Sequence, residues 1–135
     1  MQEYLAICPT ELSERDTLRV QTMLAKYGSF VYLSHAEEQR MNFCEREERP
    51  VAKLEDGSIY KGEWKIGTEE QEGRGMQINH DGSVYEGYFQ ASKANFYGRM
   101  LNKDGDIYLG EWLNDKAQGF GYCTNLEGSV YRGFW

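Results

Sequence analysis

Asp56–Trp64 reads DGSIYKGEW, and the reading of this stretch decides the fold. Asp-Gly ahead of a short β-prone run is a hairpin-turn signal, because glycine takes positive φ without a steric cost. The run alternates with period 2. Tyr60, Gly62 and Trp64 therefore share one face of a strand, and Ile59, Lys61 and Glu63 share the other. A glycine inside a strand weakens it unless something large approaches the backbone there. Aromatic rings lying over the glycine would supply that contact.

The stretch returns as DGSVYEGYF from Asp81, DGDIYLGEW from Asp104 and EGSVYRGFW from Glu127. Its tyrosines, Tyr60, Tyr85, Tyr108 and Tyr131, are 25, 23 and 23 residues apart. Each copy keeps the parity, with Tyr85 and Phe89, Tyr108 and Trp112, and Tyr131 and Trp135 flanking a glycine. A second glycine signal recurs between the blocks at Gly73-Arg74-Gly75, Gly98 and Gly119-Phe120-Gly121. Two registers repeating together mark a repeat architecture. The expected form is an antiparallel meander of stacked β-hairpins with an aromatic ladder on one face.

Tyr-x-Gly-x-Trp followed by Gly-x-Gly at a period near 23 resembles the MORN-repeat family, over about residues 53–135. The resemblance implies a twisted single-layer sheet, grooved on its aromatic face. Three departures stand out. The first two repeats read as two residues longer between tyrosine and glycine, at KIGTEEQEG and QASKANFYG, which predicts that their turns protrude. The second Gly-x-Gly reads Gly98-Arg99-Met100, as if it had lost its last glycine, and Phe89 stands where a tryptophan is expected.

Composition changes at Pro50. Fourteen of the 15 glycines and 14 of the 19 aromatic residues follow it, which places a domain boundary there. The fold class is read as α+β, with a helical segment over 1–50 and a repeat sheet of about three and a half repeats over 51–135. Val20, Met23, Leu24 and Tyr27 form one apolar stripe, predicting a helix near 11–27 that Thr10 or Ser13 caps and Gly28 stops. Ser34-x-x-Glu37 is a capping box that opens a second helix, read as running to about 48 until Pro50 halts it. A single-layer sheet leaves its rings half covered, so a cover or end-cap is expected. The first fifty residues fold back on the sheet, pack on another protein, or stay partly disordered. Their sequence leaves all three open.

Fifteen Lys and Arg against 22 Asp and Glu give a net charge of −7. Nucleic acid needs a clustered basic surface and is disfavoured. Anionic lipid is disfavoured by the same argument. Cys8, Cys44 and Cys123 are odd in number and far apart, as expected of reduced thiols in the cytoplasm. No signal peptide or membrane span is read. His35 and His80 lack metal-ligand spacing, so no metal or cofactor is expected. Asp56, Asp81 and Asp104 read as turn residues, and no nucleophile motif or phosphate loop is found. No catalytic residue is assigned, and the protein is read as not an enzyme.

The expected function is therefore a structural, protein-binding module. Its candidate binding residues are Tyr60, Trp64, Tyr85, Phe89, Tyr108 and Trp112 on the aromatic face, with Tyr131, Phe134 and Trp135 on the last strand. Its expected partners are other proteins of a large complex or a second copy. The resemblance implies a cytoskeletal or ciliary setting, as in radial-spoke head components. It also implies two alternatives, a membrane-proximal lipid tether and a regulatory piece of an enzyme such as a phosphatidylinositol-phosphate kinase. The fourth block shows a first strand without its return, so residues 127–135 either pair across an interface with a second copy or a different sheet protein, or fray, or belong to a longer chain. On the interface reading, deleting 127–135 should abolish partner association, measured by co-sedimentation; association that survives the deletion removes this reading.

Overall fold

A computed structural model describes residues 14–125 and 127–135. Among the described residues, two helices, α1 (Glu14–Tyr27) and α2 (His35–Arg40), precede eight strands. These are β1 (Arg46–Lys53), β2 (Ile59–Lys65), β3 (Gln71–Ile78), β4 (Val84–Gln90), β5 (Lys93–Leu101), β6 (Ile107–Leu113), β7 (Lys116–Thr124) and β8 (Val130–Phe134). The strands form one antiparallel sheet in sequence order, a pure meander. The chain is thus α+β, with helices first and a meander after them.

The Asp-Gly turns close as expected. Gly57, Gly82 and Gly105 donate back to the carbonyls of Leu54, Asn79 and Asn102. The carboxylates of Asp56 and Asp81 accept the backbone N–H of Ser58 and Ser83 at 2.9 and 2.8 Å. These hydrogen bonds hold the Asp56 and Asp81 carboxyls below the usual carboxylate range.

The glycines align across the sheet. Gly62, Gly75, Gly87, Gly98, Gly110 and Gly121 pair in one row that ends on Gly133. The tyrosines of even strands lie over this row. A Cβ on Gly75, Gly98 or Gly121 would come within 2.3–2.4 Å of the hydroxyl of Tyr60, Tyr85 or Tyr108. Each of those hydroxyls donates to a carbonyl three residues on, in Glu63, Tyr88 and Glu111. The rings then meet edge to face along the sheet: Tyr60–Phe89, Tyr85–Trp112 and Tyr108–Trp135 have centroids 4.8–5.3 Å apart, a favoured aromatic geometry.

The pairing corrects the sequence alignment of the repeats. Gly98 matches Gly75 and Gly121, because it pairs with Gly87 as they pair with Gly62 and Gly110. The second Gly-x-Gly therefore spans 96–98 and has lost its first glycine, not its last. Phe96 stands in that place with φ +70°, where Gly73 and Gly119 have +96° and +82°. Only the first turn is lengthened, over residues 66–70; the second is a two-residue connection at Ala91-Ser92, like Asn114-Asp115 in the third. The expected protrusion of both turns holds for the first alone.

The second helix is also shorter than expected. Ser34 and Glu37 form the capping box, but α2 ends at Arg40 and residues 46–53 form a strand. Pro50, read as a helix stop and domain boundary, lies inside β1 where the register shifts between Arg49 and Ala52. A bulge tolerates the missing N–H of proline. Its sequence REERPVAK suits an edge strand, since charges and proline discourage further pairing. Arg49 lies over the Trp64 ring at 5.1 Å and finishes the aromatic row on that side.

α1 packs its stripe on the non-aromatic face. Val20 and Met23 join Met76, Ile78, Val84, Leu101 and Ile107 in one buried cluster, with Leu24 and Tyr27 against it. Gly28 stops the helix as expected, at φ +75° with its N–H on the Leu24 carbonyl. The proposed caps Thr10 and Ser13, and Cys8, lie outside the described residues. Of the three readings for the N-terminal segment, the described part folds back on the sheet.

Gly98→Ala forces a methyl group into the buried Tyr85 ring. It should destabilise by about 3 kcal/mol, the upper range for overpacking. At Gly133 the Tyr131 hydroxyl is 3.1 Å from an added Cβ and the ring is exposed, so Gly133→Ala should cost under about 1 kcal/mol. Urea midpoints of the two variants check the contrast.

Candidate interaction surfaces

The sheet sorts the expected binding residues into two groups. Tyr60, Trp64, Tyr85, Phe89, Tyr108 and Trp112 are buried in the ladder, each 9% exposed or less. Their rings are packing, and the aromatic face between β2 and β6 presents little of them to a partner. Tyr131, Phe134 and Trp135 are different, at 60%, 78% and 42% exposed. Phe134 lies on the opposite face from Tyr131, edge-on to Phe120 at 5.6 Å. Phe120 and Val130 are exposed beside it.

The non-aromatic face is divided. Over β2–β5 it lies under a strap, residues 28–44, that the sequence did not reveal. Arg99 anchors one end: its Nη2 donates to the Gly28 carbonyl and to Glu86 Oε1, both at 2.9 Å. The Glu86–Arg99 pair is almost wholly buried. Removing one member of such a pair leaves an uncompensated charge and is strongly destabilising. Mid-strap, the Leu33 N–H donates to the Tyr88 hydroxyl at 2.9 Å. That hydroxyl donates to Glu38, which also accepts from Arg74 Nε at 2.8 Å. Burial, with the Glu38 carboxylate next in importance, pushes the Tyr88 phenol well above its usual range. At the far end the Cys44 N–H donates to Glu72 at 3.1 Å.

Rings reinforce these anchors. Phe30 packs on Tyr97, Tyr32 on Tyr88, and Phe43 on both Tyr88 and Phe96. The positive φ of Phe96 is therefore used: a glycine there would leave Phe43 without its edge-on neighbour. Position-by-position comparison of repeats would have flagged these anchors. Where the middle repeat has Glu86, Tyr88, Phe96 and Arg99, the first has Lys61, Glu63, Gly73 and Met76, and the third has Leu109, Glu111, Gly119 and Tyr122.

Beyond the strap the same face is open over β6–β8. A cleft of about 200 Å³ runs beside Val31 and is lined by Tyr97, Leu109 and Tyr122. At the other side of the strap a cleft of about 290 Å³ is ringed by Glu38, Arg46, Lys61, Glu63 and Arg74. Its charges largely neutralise one another, as in the Arg46–Glu63 and Arg74–Glu38 pairs. Among the described residues no group of three His, Cys, Asp or Glu side chains is placed to hold a metal ion. No helix among them is long and apolar enough to cross a membrane.

The ladder makes stability sensitive to base. Burial raises the Tyr60 and Tyr85 phenols well above 10. A group whose folded pKa is raised contributes fully below its unfolded pKa and loses that contribution as pH rises past it. Stability should be flat to about pH 9, fall by about 3 kcal/mol in total from these two tyrosines by pH 11, and approach that loss per pH unit only beyond it. Urea midpoints between pH 8 and 11, with phenolate absorbance, check this; tyrosines that all ionise near 10 in the folded protein contradict it.

No family model matches the chain, and no curated protein matches it.

Proposed function

We propose that this protein is a non-catalytic, MORN-type repeat module that docks into a larger intracellular assembly as a subunit or adaptor. The observation that carries this reading is the contrast between the two ends of the sheet. β1 is charged, bulged and capped by Arg49 on Trp64. β8 and its neighbour β7 instead expose large side chains on both faces, Tyr131 and Trp135 on the aromatic face and Phe120, Val130 and Phe134 on the other. A cluster of exposed large apolar side chains marks an interaction surface, and tyrosine and tryptophan are the side chains most used at interface centres. The repeat grammar supports the MORN assignment, through paired glycines under Tyr-x-Gly-x-Trp rings. The cytoskeletal or ciliary setting follows from that resemblance.

Fractionation tests the reading. After gentle non-ionic detergent and a salt wash, the native protein should stay in the insoluble cytoskeletal or axonemal fraction, with crosslinks from β7 and β8 to its neighbour. Release by detergent alone would instead indicate a membrane tether and overturn it.

A further inference from the structure

Arg74 and Tyr88 stand opposite each other on β3 and β4, and both turn hydrogen-bond donors to the strapped face. The next pair in the row differs: Tyr97 and Glu111 on β5 and β6 set a donor opposite an acceptor. A carboxylate of the sheet lies beside Arg74, but it is engaged otherwise. Glu63 accepts the Arg74 backbone N–H at 2.8 Å and pairs with Arg46 Nε at 3.3 Å. The sheet thus builds a guanidinium and a phenol side by side and leaves their acceptor to come from outside it.

Glu38 of α2 supplies that acceptor. Its Oε2 accepts from Arg74 Nε at 2.8 Å and from the Tyr88 hydroxyl. Little else holds α2 down. None of its residues is buried, and among the described residues it hydrogen-bonds to the sheet through Glu38 alone. α1 is held in another way, by the apolar cluster around Val20 and Met23.

We propose that Arg74 and Tyr88 form a carboxylate-binding site, that Glu38 is its built-in occupant, and that α2 lifts to let a carboxylate from outside the strap take its place. The strap keeps its seat on either side of α2 during this exchange. Leu33 N–H stays on the Tyr88 hydroxyl, and Cys44 N–H stays on Glu72. Rings hold the receiving groups, with the Arg74 guanidinium over Tyr32 at 4.7 Å and Phe43 stacked on Tyr88. The Arg74 side chain is 42% exposed, so water hydrates it while the site changes hands. Entry is from the cleft of about 290 Å³ that Glu38 and Arg74 both line. Segments with few buried apolar contacts are the ones that open locally. A carboxylate is the ligand class that fits, because both receiving groups donate and one of them is charged. Its tether makes Glu38 an internal competitor, so a dilute carboxylate is kept out and one held close by is admitted.

Acetate is the probe, on the full chain carrying Glu38→Ala. The Arg74 Nε–H and the Tyr88 ring are followed by NMR while sodium acetate replaces sodium chloride at constant ionic strength. The expected result is a saturable shift of both signals, with no shift from acetamide. Binding should be about tenfold weaker when Tyr88→Phe is added, which removes only the hydroxyl. It should also be about tenfold weaker in the unmodified protein, where Glu38 competes. Hydrogen exchange of the unmodified protein gives a second reading. The amides of Glu38 and Met41 should exchange at rates independent of urea below the unfolding transition, while those of β4 follow the urea dependence of global unfolding. No acetate shift, whether the site stays empty or another carboxylate of this chain fills it, overturns the proposal. So does equal binding by the three proteins, or exchange at α2 that follows global unfolding. Loss of the folded sheet in Glu38→Ala overturns it as well, since a latch that lifts is not needed to fold the sheet.

Discussion

The whole sheet depends on one steric fact: a tyrosine ring can lie flat across two strands only where both lack a Cβ. That condition puts glycine into every strand from β2 to β8 at a single register. It explains how a one-layer sheet buries large rings without a second layer above them. The rings cover the glycines and one another, so the aromatic side becomes a core made from one face. Glycine, ordinarily a weak strand residue, is here the residue that makes burial possible. The tyrosine hydroxyls stay satisfied by turning to carbonyls three residues along, which removes the usual penalty for a buried polar tip.

With the rings committed to each other, the opposite face takes on the task of holding the N-terminal segment. It does so through mixed means. α1 contributes an apolar stripe, and the strap contributes rings together with charge-assisted hydrogen bonds to Arg99, Tyr88 and Arg74. The buried Glu86–Arg99 pair contributes geometry more than net stability, since the desolvation of such a pair offsets much of its attraction. What it fixes is the position of the Gly28 carbonyl, and therefore where the chain leaves α1 and begins to cross the sheet.

Periodicity made the meander legible from the sequence, because strand parity, turn chemistry and repeat spacing all pointed one way. The stripe of α1 and the capping box of α2 were legible for similar local reasons. β1 was not. REERPVAK carries no alternation and contains a proline, and it is a strand only because β2 offers a free side. The alignment of the second repeat failed because glycine was taken as the marker, whereas the marker is the pairing row; Phe96 occupies a glycine's backbone conformation without being one. The functional reading of the aromatic face was limited in the same way. Sequence shows that rings share a face but not how far they cover each other; in the fold the rings of β8 are exposed and those of β2, β4 and β6 are buried.

Phe96 has one further consequence. Repeats of nearly equal length are interchangeable to anything that docks on them, and a tether could settle one period early or late with similar contacts. The left-handed backbone at Phe96 costs ~1–2 kcal/mol that a glycine would not. In return it makes the central repeat chemically unlike its neighbours at the point where Phe43 arrives. The strain works as an address, converting a periodic surface into one with a single origin from which the strap is measured.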